Sequence, residues 1–139
     1  MEFYCKSGER IHVDILGEGF PIVFLHGNNL QSSYFAKQRV LEKSFKLLFV
    51  DSLGHGKSGE LQGETSFVYL ADSLEELLSS LSIEKCLLVG HSDGANLALE
   101  YAGRHGKRVA GILANSGNIS FSGLKFLPRY ACYLEEWLY

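Results

Sequence analysis

Four short apolar runs punctuate the chain: IVFL at 22–25, LLFV at 47–50, CLLV at 86–89 and VAGILA at 109–114. Continuous runs of this kind fit strands buried on both faces, as in a parallel sheet. Between them the spacing turns helical. From 66 to 82, Phe67, Leu70, Leu74, Leu77, Leu78 and Leu81 recur at threes and fours, with Thr65 and Ser66 placed as caps. A weaker pattern runs from about Ser32 to Lys43 with Phe35, Val40 and Leu41 inward. A third helix follows Ser92 and stops at the glycines of GRHG. Alternation of buried strand and helix predicts an α/β fold, a mostly parallel sheet with helices on both faces. The front end departs from this, because EFYCKS and RIHVDILG flank GE and predict an antiparallel hairpin.

Composition narrows the setting. With 139 residues, 46% hydrophobic and 21% charged, the chain is sized for one domain. At that length roughly two-thirds of the unfolded chain's surface can be buried. A formal charge of −3 and a pI near 5.9, with Lys and Arg scattered, offer no field for a nucleic-acid backbone. No apolar run reaches the ~18 residues of a membrane span. The start, MEFYCKSGER, lacks the basic-then-apolar order of a signal peptide. No nucleic-acid or membrane partner is expected, and the expected location is cytoplasmic. Cys5, Cys86 and Cys132 have neither CxxC spacing nor histidines at ligand distance, so reduced structural thiols are expected, with no metal and no cofactor.

The chemistry gathers at CLLVGHSDGANLAL, 86–99. Ser92 falls where a buried strand ends and a helix begins. The turn must be tight, and the residues two before and two after the serine crowd the same space. Gly90 and Gly94 occupy those places, giving GxSxG, a nucleophile elbow that lifts the hydroxyl above the strand's C-terminal edge. The helix that starts near Asp93 turns its free amides toward the same spot, where they suit a developing oxyanion. Upstream, FLHGNN at 24–29 ends an earlier strand, and the amide of Asn28 is placed to face the serine. DSLGHGKSG at 51–59 follows the next strand.

HGxx after one strand, DxxGxGxS after the next and GHSxG after the third, in this order and at these separations, resembles the α/β-hydrolase superfamily. The resemblance covers nearly the whole chain and implies the α/β-hydrolase fold. It makes Ser92 the nucleophile and the backbone amides of Asn28 and Asp93 the oxyanion hole, with Gly90 and Gly94 as elbow glycines. Asp51, Gly54, Gly56 and Gly59 match a loop that is structural in that family. Two other motifs fail. GHGKSG spells the dinucleotide fingerprint, yet no helix opens on its third glycine. As a phosphate loop it has Asp51 where the first glycine belongs.

A serine needs a histidine to take its proton and an acid to orient that histidine. After Ser92 only His105 remains, near the far end of the helix that Ser92 opens, about 18 Å away at 1.5 Å per residue. His91 alternates away from the hydroxyl, His26 and His55 belong to their own loops, and His12 is expected to be solvated in the hairpin. The family pattern therefore reads as cut short after the sixth strand. Residues 1–117 form a partial core, and 118–139 form the start of a cap or a terminal helix. The stripe Phe126, Tyr130, Tyr133, Leu134, Trp137 and Leu138 then lines a pocket or packs on the sheet. The implied function is a serine hydrolase acting on a carboxylic ester, thioester, lactone or amide through an acyl-enzyme, crippled here by the missing acid and base. The alternative is a non-catalytic scaffold with a binding role.

The small-molecule acyl substrate is one expected partner, and a second copy of the chain is another. No proline or charge protects VAGILA if it is left as an edge, and the 126–138 stripe lacks its cover. A homo-oligomer joined through the 109–114 edge or the 126–138 helix is expected. Light scattering at micromolar concentration should give a dimeric or larger mass that Ile112→Lys or Trp137→Ala dissociates. A monomeric mass that persists on concentration would remove the edge-pairing idea.

Overall fold

In the computed structural model, which describes residues 1–62 and 66–117, six strands form one sheet in the order β1-β2-β4-β3-β5-β6. The strands are β1 (Glu2–Tyr4), β2 (Arg10–Leu16), β3 (Pro21–Leu25), β4 (Lys46–Asp51), β5 (Cys86–His91) and β6 (Val109–Asn115). The predicted hairpin is present, with Glu2 opposite His12, and β2 runs antiparallel to β4. From β4 through β3 and β5 to β6 every pairing is parallel. The predicted cap or helix over 118–139, with its 126–138 stripe and Cys132, lies outside the described residues, as does Thr65. β6 ends the sheet, and no strand lies on its outer edge among the described residues.

The unbroken apolar runs sort by period two onto the two faces of the sheet. Val23 and Leu25 of β3, Leu48 and Val50 of β4 and Leu88 of β5 face the helices α1 (Phe67–Ser80) and α2 (Asp93–His105). There they meet Leu74, Leu77 and Leu78 from α1 and Leu97, Ala98 and Tyr101 from α2. Ile22, Phe24, Leu47 and Phe49 point the other way, with Phe24 and Phe49 stacked at 4.7 Å, and are covered by Phe35. The central strands β3, β4 and β5 thus need apolar residues on both faces. The N-terminus of α1 is capped as its sequence suggests, Ser66 Oγ accepting from the Tyr69 amide at 3.1 Å. At the other end of the layer, the Arg108 guanidinium forks onto Glu75 of α1 at 2.7 and 3.0 Å, and the Tyr101 hydroxyl donates to the same carboxylate. Cys5 and Cys86 are buried free thiols, and burial pushes the Cys86 thiol up to about 11. Among the described residues no helix is long and apolar enough to cross a membrane.

Three expectations need correction. The segment Ser32–Lys43 is not an α-helix but 3₁₀ turns interrupted at Phe35 (φ −91°, ψ 25°). Phe35 is inward, but Val40 is 65% exposed and Leu41 38% exposed. Arg39, itself half-exposed, is the neighbour that reaches back to the sheet. Its guanidinium lies 5.2 Å over the Phe49 ring and donates to Asp14 at 2.8 Å. His12 is not solvated but 8% exposed, its ring held between Glu2 at 2.6 Å and Asp14 at 3.1 Å. Phe67 is 36% exposed rather than packed inward, because it begins α1 at the end of the sheet.

These packing differences are measurable. Leu77→Ala should cost about 2–5 kcal/mol in urea denaturation, as a fully buried leucine does. Val40→Ala should stay within about 0.5 kcal/mol, as exposed positions do. Similar losses for the two would place Val40 in the core.

Candidate active site

The C-terminal ends of β3, β4 and β5 lie side by side at one end of the sheet, where the chain passes from β3 to β4 on one side and then, through α1, to β5 on the other. That is where open α/β sheets form crevices. Ser92 stands at the end of β5 and the start of α2, with φ 52° and ψ −117°, a conformation costly for any residue with a side chain. It is held on both sides. Its amide donates to the Asn115 carbonyl at 2.8 Å, and its carbonyl accepts from Ala95 and Asn96 at 2.9 and 3.1 Å.

The spacing of the glycines has a steric cause. A Cβ at Gly90 would fall 2.3 Å from the Gly94 carbonyl oxygen, and one at Gly94 would fall 1.9 Å from the Leu25 oxygen. Neither neighbour is a movable side chain. Ser66 and Ser92 both occupy helix N-cap positions, yet they behave differently. Ser66, in extended backbone, caps its helix, whereas the Ser92 hydroxyl makes no capping bond. The turned backbone has released that hydroxyl from the usual structural duty of an N-cap serine.

The loop after β3 abuts the turn: a Cβ on Gly27 would lie 3.1 Å from Ser92 Cβ and 3.2 Å from the His91 oxygen. His26, buried beneath it, accepts from the Ser52 amide through Nε2 at 3.0 Å and donates from Nδ1 to the Gly27 carbonyl at 2.8 Å. That pattern requires the neutral ring, and burial pushes the His26 imidazole below its ordinary value in agreement. The turn at 27–30 closes through Leu30 N–H on Gly27 O and Asn29 N–H on Asn28 Oδ1, neither of which uses the Asn28 amide. Asp93 is the first residue of α2, so its own amide has no partner within the helix.

Asn28 and Asp93 are brought to one cavity of about 380 Å³. Leu53, Phe67, Leu70 and Leu97 form its apolar wall, and His55 and Ser52 stand among its polar groups. Ser92 immediately precedes the wall residues Asp93 and Gly94 and is not itself part of the lining. Phe67, read in the sequence as a core position, is the wall residue that periodicity could not assign.

All five histidines are accounted for without Ser92. His12 binds Glu2 and Asp14, His26 binds Gly27 and Ser52, and His55 meets Leu53 and Asn28. His105 faces Asp72 and Glu75 at the far end of α2. His91 stacks on Tyr34 at 4.6 Å, its Nδ1 buried without a partner among the described residues. Among those residues no cluster of three His, Cys, Asp or Glu side chains could hold a metal ion.

Residues 21–137 match the family described as alpha/beta hydrolase fold. Non-heme chloroperoxidase CPO-A1 of Kitasatospora aureofaciens is 33% identical over 103 residues, covering 73% of this chain and 38% of that protein. Among solved structures, Est816, described as an N-acyl homoserine lactone degrading enzyme, superposes with a TM-score of 0.79 at 30% identity, covering 82% of this chain and 44% of its own. The esterase EaEST from Exiguobacterium antarcticum gives 0.77 at 28% identity, covering 84% and 44%. The chain matches between 28% and 42% of the length of such curated relatives.

Beneath the site, Asp51 ties three segments together. Its carboxylate accepts from the amides of Ser32 at 2.6 Å and Lys57 at 2.9 Å, and its carbonyl accepts from Ser58 Oγ at 2.6 Å. Gly56 is required there, since a Cβ would fall 2.4 Å from the carboxyl carbon. Burial alone would raise the Asp51 pKa, but the amide donors of Lys57 and Ser32 outweigh it and hold the group below its ordinary value. A lowered folded pKa adds stability that is complete above the unfolded value of about 3.9 and disappears as pH falls through the folded one. Asp51→Asn puts an N–H against an amide donor and should cost about 1–3 kcal/mol at pH 7. The gap from wild type, read by urea denaturation, should narrow below about pH 4. A gap independent of pH would show that the carboxylate charge plays no part.

Proposed function

The chain belongs to the alpha/beta hydrolase family, and we propose that Ser92 is the nucleophile of a hydrolase site that acts on a carboxylic ester, thioester, lactone or amide. One observation carries the reading: a serine in a strained turn, at φ 52°, whose hydroxyl is not used to cap its helix. Such strain persists only where surrounding structure enforces it, and it gathers at sites of chemistry.

The proposed reaction is acyl transfer. Ser92 Oγ attacks the carbonyl carbon, its proton passes to solvent water, and the carbonyl electron pair moves onto oxygen. The backbone amides of Asn28 and Asp93 receive that oxyanion, and being fixed in advance they need no reorganisation as charge develops. The carbon–leaving group bond then breaks, the leaving group takes up a proton, and water hydrolyses the Ser92 ester. The apolar wall of Leu53, Phe67, Leu70 and Leu97 suits the acyl or alcohol portion of a neutral substrate. Est816 and EaEST, described as lactone-degrading and as an esterase, favour the same carbonyl chemistry. Since no histidine hydrogen-bonds the Ser92 hydroxyl among the described residues, turnover by these 139 residues is proposed to stay low.

A fluorophosphonate, whose phosphorus accepts Oγ as fluoride departs, tests the nucleophile directly. One adduct per chain by intact mass, mapped to Ser92 and lost in Ser92→Ala, is the expected result. Hydrolysis of p-nitrophenyl acetate should remain at the ~10³–10⁴-fold over water that binding and an oxyanion hole provide without a base. An adduct elsewhere, or none, would favour the non-catalytic scaffold. Turnover near the ~10 s⁻¹ typical of enzymes, abolished by Ser92→Ala, would mean that a base acts among the residues assigned here to other roles.

A further inference from the structure

His55 lies on the polar side of the cavity with no part in the reaction just described. Its Nδ1 is 3.1 Å from the Leu53 carbonyl oxygen, and its Nε2 is 3.2 Å from Asn28 Oδ1. The identity of that Asn28 atom is fixed independently. The Asn29 amide donates to it at 3.0 Å, so it must be the oxygen, because the side-chain nitrogen would set donor against donor. Both ring nitrogens of His55 therefore face acceptors. A neutral imidazole carries one N–H and satisfies one of them, whereas the imidazolium satisfies both.

We propose that His55 is a positioning residue for Asn28: its ring, facing acceptors through both nitrogens, ties the Asn28 side chain to the turn after β4 and so sets the loop whose amide receives the oxyanion. The assignment rests on the reading of Asn28 as an oxyanion donor. Loss of the proton frees either Asn28 or Leu53. The groups around the ring leave this role to His55. From the β3 loop comes His26, with ring centroids 5.3 Å apart, kept neutral by its two fixed partners. From its own turn come Asp51, whose carboxylate is taken by the Ser32 and Lys57 amides, and Lys57, two residues beyond His55 along the chain. From α2 comes Asp93 on the same cavity, and among the described residues the cap Ser66 and the α1 residues Phe67 and Leu70 that line it are uncharged.

Nuclear magnetic resonance on the intact chain decides the proposal without any activity. Across a pH titration of wild type, the Asn28 side-chain amide and the Asn29 backbone amide should shift with the midpoint of the His55 ring. In His55→Gln, which keeps a donor but cannot titrate, that transition should vanish. Asn28 and Asn29 signals that stay constant while His55 titrates, or that titrate unchanged in the variant, would overturn the proposal. The wild-type titration stands alone if the variant fails to fold. Fluorophosphonate labelling adds the link to Ser92: the ratio of wild-type to His55→Gln rates should fall roughly two- to tenfold on deprotonation, the effect of one hydrogen bond. A flat ratio alongside coupled signals would confine His55 to structure. A chain that is not labelled at all would defeat the hydrolase reading and leave the titration to decide the His55–Asn28 tie.

Discussion

The site depends on how closely the backbone of the turn after β5 is pressed against the end of β3. At Gly94 there is no room for even one carbon, since a Cβ would sit 1.9 Å from the Leu25 carbonyl oxygen. That contact is backbone against backbone, so no rotamer change can relieve it. It allows α2 to begin directly over the sheet, forces Ser92 into a left-handed conformation and brings Gly27 against the serine. The strain is sustained by the parallel pairing of β3, β5 and β6, which fixes Leu25 opposite Gly90 and His91 opposite Asn115.

Loops at the end of a sheet are usually its loosest parts. Here buried polar groups hold them from within. Asp51 gathers the 32 and 57 segments onto the end of β4, and His26 joins the β3 loop to the Ser52 amide. Each meets backbone amides that would otherwise lie buried without partners, which makes it a requirement of the loop and not an ornament on it. The result is a cavity whose polar groups are placed before any ligand arrives, the condition under which fixed dipoles are most effective in catalysis.

Much of this was legible in the chain because the signals were local or steric. The four apolar runs became β3 to β6, Ser66 capped α1, and GxSxG marked a turn that only glycine could flank. The misreadings came from side chains that act across space. Arg39, and not Val40, reaches back to the sheet, meeting Phe49 of β4 and Asp14 of β2. His12 was buried by two carboxylates that no periodicity predicts, one of them on the facing strand. Phe67 fits the helical stripe in sequence, but as the first residue of α1 it reaches beyond the sheet to the cavity. The contact of His55 with Asn28, 27 positions apart, carried no sequence signal because it depends on how two loops meet.

The central claim, that this backbone geometry serves a nucleophilic serine, is tested most directly by a crystal structure of the chain carrying a phosphonate on Ser92. A positive φ at Ser92 and a phosphoryl oxygen about 2.7–3.1 Å from both the Asn28 and Asp93 amide nitrogens are expected. A Ser92 with ordinary helical φ, or a phosphoryl oxygen turned to solvent away from those two amides, would contradict it.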